Sequence, residues 1–365
     1  MKNTFGNALT VTIFGESHGE AIGAVIDGIA PGIKIDENYI NEKLALRKPS
    51  GKISTQRKEG DNYSLVSGVF NGYTTGTPIT IIIPNENTAS KDYANIKNTP
   101  RPGHADYTAE CKYHGFQDYR GGGHFSGRIT AALVAAGAII SSALENIGIK
   151  IGTHILKLHG ISDRAFDDYS LDIDSLARKQ FPTLSDSAEE KMKEEIEKAR
   201  NDGDSVGGIL ESAILGVPAG VGEPWFDSAE SVISHILFSI GGIKGIEFGK
   251  GFSLADMLGS EANDPLTVED GKIRTTTNNN GGINGGITNG MPIIVKCAVK
   301  PTPSIYKEQN TVSLRENRDT KIKIAGRHDP AIIHRVRAVV DAALAIAVAD
   351  MLTVKFGTDY LSNSN

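Results

Sequence analysis

Four short segments of this chain set a histidine in a loop marked by glycine or proline. They are Gly15-Glu16-Ser17-His18-Gly19, Arg101-Pro102-Gly103-His104-Ala105-Asp106, Arg120-Gly121-Gly122-Gly123-His124-Phe125-Ser126-Gly127-Arg128 and Gly326-Arg327-His328-Asp329-Pro330; three of the four also carry arginine. Glycine lets backbone approach a ligand, arginine holds anions in a planar fork, and histidine moves protons near neutral pH. Together these types describe an enzyme site for an anionic small molecule.

Each segment has a plainer reading beside the chemical one. His18 follows a strand, with Glu16 placed to orient the ring and Gly19 to open the backbone; the plain reading is a satisfied structural histidine. Pro102 and Gly103 turn the chain so that Arg101 and His104 face one pocket, where Asp106 can hold the imidazole tautomer; otherwise this is a polar surface turn. The triglycine loop leads to a helix with Ser126 near its N-cap. Backbone N–H groups at such a start bind anions, and Arg120 and Arg128 add charge-assisted bonds. Asp329 is a good N-cap and Pro330 a good first helical residue, which puts Arg327 and His328 at a helix N-terminus that favours an anion. Arg47, Lys48, Lys52 and Arg57 flank the turn Pro49-Ser50-Gly51, as a solvated loop or the rim of an electropositive mouth. Metal binding is disfavoured because no His-Glu-x-x-His spacing occurs and arginine beside the histidines opposes a divalent cation. No Gly-x4-Gly-Lys-Ser/Thr phosphate loop is present.

Elements must hold these loops. Residues 8–14 and 22–27 read as strands around the first of them, and 36–47 as a helix capped by Asp36. Ile79–Ile83 is a β-branched run between prolines, read as a buried strand. Residues 84–125 read as a long irregular stretch of the kind that carries function. Residues 127–146 and Ala331–Leu352 read as helices, apolar all round over Ile129–Ile140 and free of charge over Ala342–Ala349. Two such helices imply a layered core with sheet on more than one side. Residues 186–200 form a charged, solvated helix with pairs Glu189–Lys193 and Glu194–Lys198, 278–290 a glycine-rich loop, and 292–300 a strand.

Bulk properties agree with an enzyme. Hydrophobic content is 39% and charged content 22%, which is globular. The 41 glycines among 365 residues exceed ordinary usage and fall in clusters suited to ligand loops, without a repeat. A net charge of −6 speaks against a general nucleic-acid surface. Two distant cysteines, Cys111 and Cys297, exclude a disulfide framework and fit a reducing cytoplasm. The first residues lack the apolar core of a signal peptide, and no apolar run is expected to reach the ~18 residues a membrane helix needs.

The motifs resemble those of the chorismate synthase family. One is similar to Gly15–Gly19 running on to Ile29-Ala30-Pro31, a second to Gly123–Thr130, and a third to Arg327–Ala331 with the helix that follows. Arg101–Asp106 and Lys300-Pro301-Thr302-Pro303-Ser304 match as well, and the likeness runs over about residues 5–355. The resemblance implies an α/β fold, a single-domain β–α–β sandwich over residues 1–365 with sheets enclosing a buried helical layer, assembled as a homotetramer. It implies conversion of 5-enolpyruvylshikimate 3-phosphate to chorismate and phosphate by anti-1,4-elimination. Reduced FMN (FMNH2) is required and not consumed overall, and NADPH is at most an indirect reductant. By carry-over, His18 protonates the departing phosphate and His104 donates toward the flavin near N1. Asp329 helps the flavin N5 region take the proton from substrate C6. Ser17, Arg47, Arg101, Arg128 and Arg327 bind substrate, and Arg47 and Lys52 stand where the family is linked to NADP. His124, Phe125, Ser126, Gly241, Gly242, Gly285, Lys300, Pro301, Thr302, Pro303, Ser304 and Arg327 match flavin contacts.

The chain departs from the family pattern in four places. His124-Phe125-Ser126 replaces Arg-Ser-Ser, Lys52 and Asp341 replace arginine and glutamate, and a proline of Lys300–Ser304 stands where serine is common. The rival readings are a flavin-dependent oxidoreductase acting on a phosphorylated carboxylate, and a non-catalytic flavin- or anion-binding protein.

Overall fold

A computed structural model describes residues 2–49, 51, 53–54, 60–86, 97–324 and 328–362. Lys52, Arg57 and Arg327, expected at the site, lie outside the described residues. The helices are α1 (Glu37–Arg47), α2 (Asp106–Tyr113), α3 (Thr130–Asn146), α4 (Tyr169–Leu176), α5 (Asp186–Asn201), α6 (Ala229–Ser239), α7 (Gly259–Ala262) and α8 (Ile333–Phe356).

Alternation of side chains builds the first sheet. Ile79, Ile81 and Ile83 are fully buried while Thr80 and Ile82 between them are only half-buried, so Ile79–Pro84 has one core face instead of the two expected. The strands run antiparallel in the order Thr4–Phe5, Thr10–Gly15, Ala21–Asp27, Ile79–Pro84, Ser64–Ser67. The second sheet, also antiparallel, runs Ile243–Phe248, Ile293–Val299, Gly208–Leu215, Lys150–Leu158, Ile161–Ser162.

The two apolar helices lie where their composition sends them. α3 packs on the first sheet through Ala21–Asp27 and Ile79–Pro84; α8 packs on the second through Lys150–Leu158 and Gly208–Leu215; α3 and α8 pack on each other. A Cβ on Gly137 would stand 2.4 Å from that of Ala342, so glycine is what lets the two helices cross this closely. From Ile333 to Thr353 every residue of α8 except Arg335 is buried. Several of its polar groups are answered inside: Ser54 Oγ lies 2.9 Å from His334 Nε2, Arg337 donates to the Leu176 carbonyl at 2.5 Å, and Asp341 accepts from Thr153 at 2.6 Å. Asp350 accepts the N–H groups of Asn7, Ala8 and Leu9 at 2.8–3.0 Å, which fixes the start of the first sheet.

Several expectations are corrected. Gly127–Asn146 is long and apolar enough to cross a membrane, contrary to the sequence reading, yet 72% of it is buried inside the protein. The stretch 84–125 contains α2 and a run of tight turns over Arg120–Phe125. α8 starts at Ile333, after an N-cap Ile332 that makes no side-chain bond, so Asp329 and Pro330 precede the helix and do not cap it. On α5 the Glu189–Lys193 pair forms, but Lys198 pairs with Glu195 in place of Glu194. Asp36 does cap α1, accepting from the Tyr39 N–H at 3.1 Å.

Candidate active site

The triglycine segment is the hinge of the site. Gly121, Gly122 and Gly123 all have positive φ (58°, 84° and 53°), a path that side chains rarely allow. A Cβ at Gly121 would lie 2.2 Å from His18 Cε1, and one at Gly122 would lie 3.3 Å from His104 Cε1. The segment therefore passes between the two histidines and packs on both. Its groups are largely used internally: the Gly123 carbonyl accepts from the N–H of Ser17 at 3.2 Å and of Ser126 at 3.3 Å, and Arg120 is tied to Asp118 at 2.8 Å. The segment thus forms a wall that holds His18 and His104 in register.

His18 is buried at the end of the first hairpin, with Ser17 Oγ 3.0 Å from its Nδ1. Ser17 Oγ also reaches the carbonyls of Arg120 and Gly121, both at 3.2 Å. A hydroxyl donating to a carbonyl accepts from Nδ1–H, so Ser17 fixes both the orientation and the tautomer of the ring. Ser17 does the orienting that the sequence suggested for Glu16, which is exposed.

His104, Arg101 and Asp106 form the unit expected of them. His104 Nδ1–H donates to Asp106 Oδ1 at 2.6 Å, and Arg101 donates to the same carboxylate through Nε and Nη2, both at 2.8 Å. Arg101 Nη2 also stands 3.0 and 3.2 Å from the two ring nitrogens, and Nη1 3.5 Å from Ser304 Oγ. Burial alone would raise the Asp106 pKa; the bonds and charges of Arg101 and His104 outweigh it and hold the carboxyl well below the usual range.

A cavity of about 420 Å³ opens beside this unit, within the size range of small-molecule and cofactor sites. Arg47, His104, Phe125, Ser126, Gly241, Gly242, Lys300, Pro301, Thr302, Pro303, Ser304 and Asp329 line it. Lys300 is anchored on the Gly103 carbonyl. Arg335, which the sequence reading missed, also lines the cavity; it donates to Asp329 Oδ2 at 2.5 Å and to the Arg47 carbonyl at 2.8 Å. Its place in the first turn of α8, six residues after Asp329, was the signal available for it. The His328 ring lies tilted against that of Tyr306, 5.5 Å between centroids, and burial together with Arg101 lowers its pKa.

Arg47 and Arg128 meet on Asp61, a second residue the sequence reading passed over. Arg47 Nη2 reaches both Asp61 oxygens at 3.1 Å, and Arg128 Nη1 reaches Oδ1. His124 faces elsewhere: its Nδ1 lies 2.8 Å from the Gly15 carbonyl, and it lines a neighbouring cavity of about 390 Å³ that shares Phe125, Ser126 and Gly241 with the first. Gly285 lies in the turn between strands Ile283–Asn284 and Ile287–Thr288 and is not among the residues lining either cavity.

A flat polar ligand fits the main cavity by two observations. Thr302 Oγ1 is buried in its wall without a protein partner, and a Cβ on Gly241 would meet nothing within 4 Å, so the wall there is bare backbone facing open space.

Comparison with known proteins identifies the architecture. The family model described as chorismate synthase matches residues 9–353. A chorismate synthase of Pyrococcus abyssi is 47% identical over 348 residues, covering 95% of this chain and 96% of that protein. Those of Methanocella arvoryzae and Archaeoglobus fulgidus are 45% and 42% identical, covering 96% and 97% of this chain and 94% and 98% of the relatives. A chorismate synthase crystal structure superimposes with a TM-score of 0.76 at 29% identity, over 97% of this chain and 94% of the other. The chain belongs to the chorismate synthase family, whose members are carbon–oxygen lyases that imply a reduced flavin.

Proposed function

We propose that the cavity beside His104 and the adjoining His18 convert 5-enolpyruvylshikimate 3-phosphate to chorismate and phosphate with reduced FMN, by anti-1,4-elimination. The observation that carries this reading is the juxtaposition of two histidines across one glycine segment, beside a cavity walled by arginine, lysine and bare backbone.

The substrate carries a phosphate and two carboxylates. Arg47, Arg101 and Arg128 supply positive charge for them, with Ser17 at hand; Arg327 is assigned to the same task by resemblance, while Lys52 stands where the family is linked to NADP. His18 protonates the departing phosphate as its C–O bond breaks, with Nδ1 held by Ser17. His104, held by Asp106 and lining the cavity, would donate toward the flavin near N1 once it is bound. Asp329, fixed by Arg335, would help the flavin N5 region take the proton from substrate C6. When bound, reduced FMN supplies an electron-rich ring that assists the elimination and is regained at the end. Phe125, Ser126, Gly241, Gly242 and Lys300–Ser304 would hold it, with His124 behind Phe125. Gly285 joins them only if another copy brings it there, which accords with the proposed homotetramer. A single-domain sandwich, a cytoplasmic location and NADPH as an indirect reductant complete the reading; two sheets flanking paired helices and a lone exposed cysteine support the first two.

The test is anaerobic single turnover with prereduced FMN. Chorismate and phosphate should appear while the flavin stays reduced, with or without NADPH. Stoichiometric flavin oxidation would replace this reading with an oxidoreductase, and ligand binding without turnover would leave only a binding protein.

A further inference from the structure

The carboxylate of Asp61 is fully shielded from solvent, and the guanidiniums of Arg47 and Arg128 that grip it are 3% and 5% exposed. Two positive side chains this close repel, and a buried pair without a carboxylate between them would swing apart. Their surroundings differ. Arg47 lines the main cavity, on the last turn of α1; Arg128 is not among the lining residues. Arg128 spends its other hydrogen bonds on protein: Nε on Asn85 Oδ1 at 3.1 Å, Nη2 on the carbonyls of Pro84 at 3.1 Å and Gly60 at 3.4 Å. Those bonds lock Arg128, and with it the segment bearing Asp61, to the end of the strand Ile79–Pro84. Arg47 is then held by both oxygens of Asp61 on one side and by the Gly127 carbonyl, at 3.4 Å, on the other.

We propose that Asp61 is a positioning residue that aims Arg47 at an anionic group of the ligand. This rests on the substrate proposed above. Gripped by the Asp61 carboxylate, the Arg47 guanidinium has its direction fixed before a ligand arrives.

A double-mutant cycle tests it. Asp61→Asn should raise KM for 5-enolpyruvylshikimate 3-phosphate about tenfold or more, the scale on which roughly 1 Å of misplacement is felt, with kcat changed far less. Asp61→Glu, which keeps the charge, should recover part of that loss. In an Arg47→Ala background, Asp61→Asn should raise KM less than about twofold further, because the group it aims is gone. An equal rise in both backgrounds overturns the proposal, since a role in folding alone would cost the same in each. Thermal-shift titration with inorganic phosphate gives a readout that needs no turnover: protection should weaken in Asp61→Asn and persist in Asp61→Glu. Tighter phosphate binding in Asp61→Asn would mean that Asp61 competes with the ligand, and would overturn the proposal too. Should Asp61→Asn fail to fold, the cycle is run with Asp61→Glu, whose longer reach should raise KM severalfold with Arg47 present and not without it. If the wild-type chain makes no chorismate, the proposed function fails, and the positioning role is judged on the phosphate titration alone.

Discussion

Replacing Gly121 with alanine should disable the site while leaving the fold in place. The added Cβ would stand 2.2 Å from His18 Cε1, 2.4 Å from Nδ1 and 2.7 Å from Ser17 Oγ, whereas ordinary contacts begin near 3.4 Å. The imidazole must therefore retreat by roughly 1 Å, or the glycine segment must shift by as much. On the role proposed for His18, either movement takes it out of line with the leaving phosphate, and a displacement of about 1 Å costs on the order of 10²-fold in rate. The backbone cost is separate and smaller: at φ 58° and ψ 17° alanine adds about 1–2 kcal/mol, against a total stability of about 5–15 kcal/mol. Anaerobic chorismate formation with reduced FMN measures the first quantity and thermal unfolding the second. Gly148→Ala is the control, because its φ is 84° and a Cβ there meets nothing within 4 Å. It should show comparable strain and unaltered turnover. If Gly121→Ala keeps kcat within about threefold of wild type in a folded protein, the close packing of Gly121 on His18 does not set the catalytic geometry.

Three other perturbations have definite outcomes. Asp106→Asn removes the carboxylate that both Arg101 and His104 hold, and should lower kcat about 10²-fold; because Asp106 sits well below the usual carboxylate range, the wild-type activity profile should show no limb near pH 4 from this group. His154 is buried between Glu211 at 3.0 Å and Asp163 at 3.6 Å; burial alone would lower its pKa, but the two carboxylates win and raise it. Its contribution to stability is therefore complete below about pH 6.5 and lost as pH rises through the higher folded value, by at most about 1.4 kcal/mol per pH unit; melting curves from pH 6 to 9 should show a shallower decline in Glu211→Gln, and identical slopes would refute the assignment. Burial pushes the Cys297 thiol up to about 12 while Cys111 is exposed, so a thiolate-directed alkylating agent at pH 8 should add one label per native chain by mass spectrometry, and two labels would contradict the burial.

What the sequence disclosed follows from what each interaction needs. α3 and α8 were legible because burial on all sides demands uninterrupted apolar residues, and α1 because Asp36 is a cap that acts within three residues. The Arg101–His104–Asp106 unit was legible for the same reason, since its partners are at most five residues apart. Contacts across the fold left no local trace. Nothing near Arg47 names Asp61, fourteen residues on, as its partner, and nothing near Arg120 tells that the glycines beside it face His18, more than a hundred residues earlier. Asp329 shows how a local rule loses to a distant partner. Its sequence position suits an N-cap, but the salt bridge to Arg335 holds it ahead of the helix, beside the cavity.

The site also accounts for an anionic protein that binds an anionic molecule. The described arginines around it are met by carboxylates: Arg101 by Asp106, Arg335 by Asp329, Arg47 and Arg128 by Asp61, and Arg120 by Asp118. Such pairing lowers the net field, which weakens long-range attraction, and in exchange holds each guanidinium in one direction. The resulting site reads the placement of negative groups more than their number. Two short-range consequences follow from the geometry already given. Raising salt should change KM modestly, because the paired charges are buried and poorly screened. Removing a carboxylate should damage binding even though it makes the site more positive, the reverse of what simple charge attraction would give. Asp61→Asn and Asp106→Asn both put that reversal to the test.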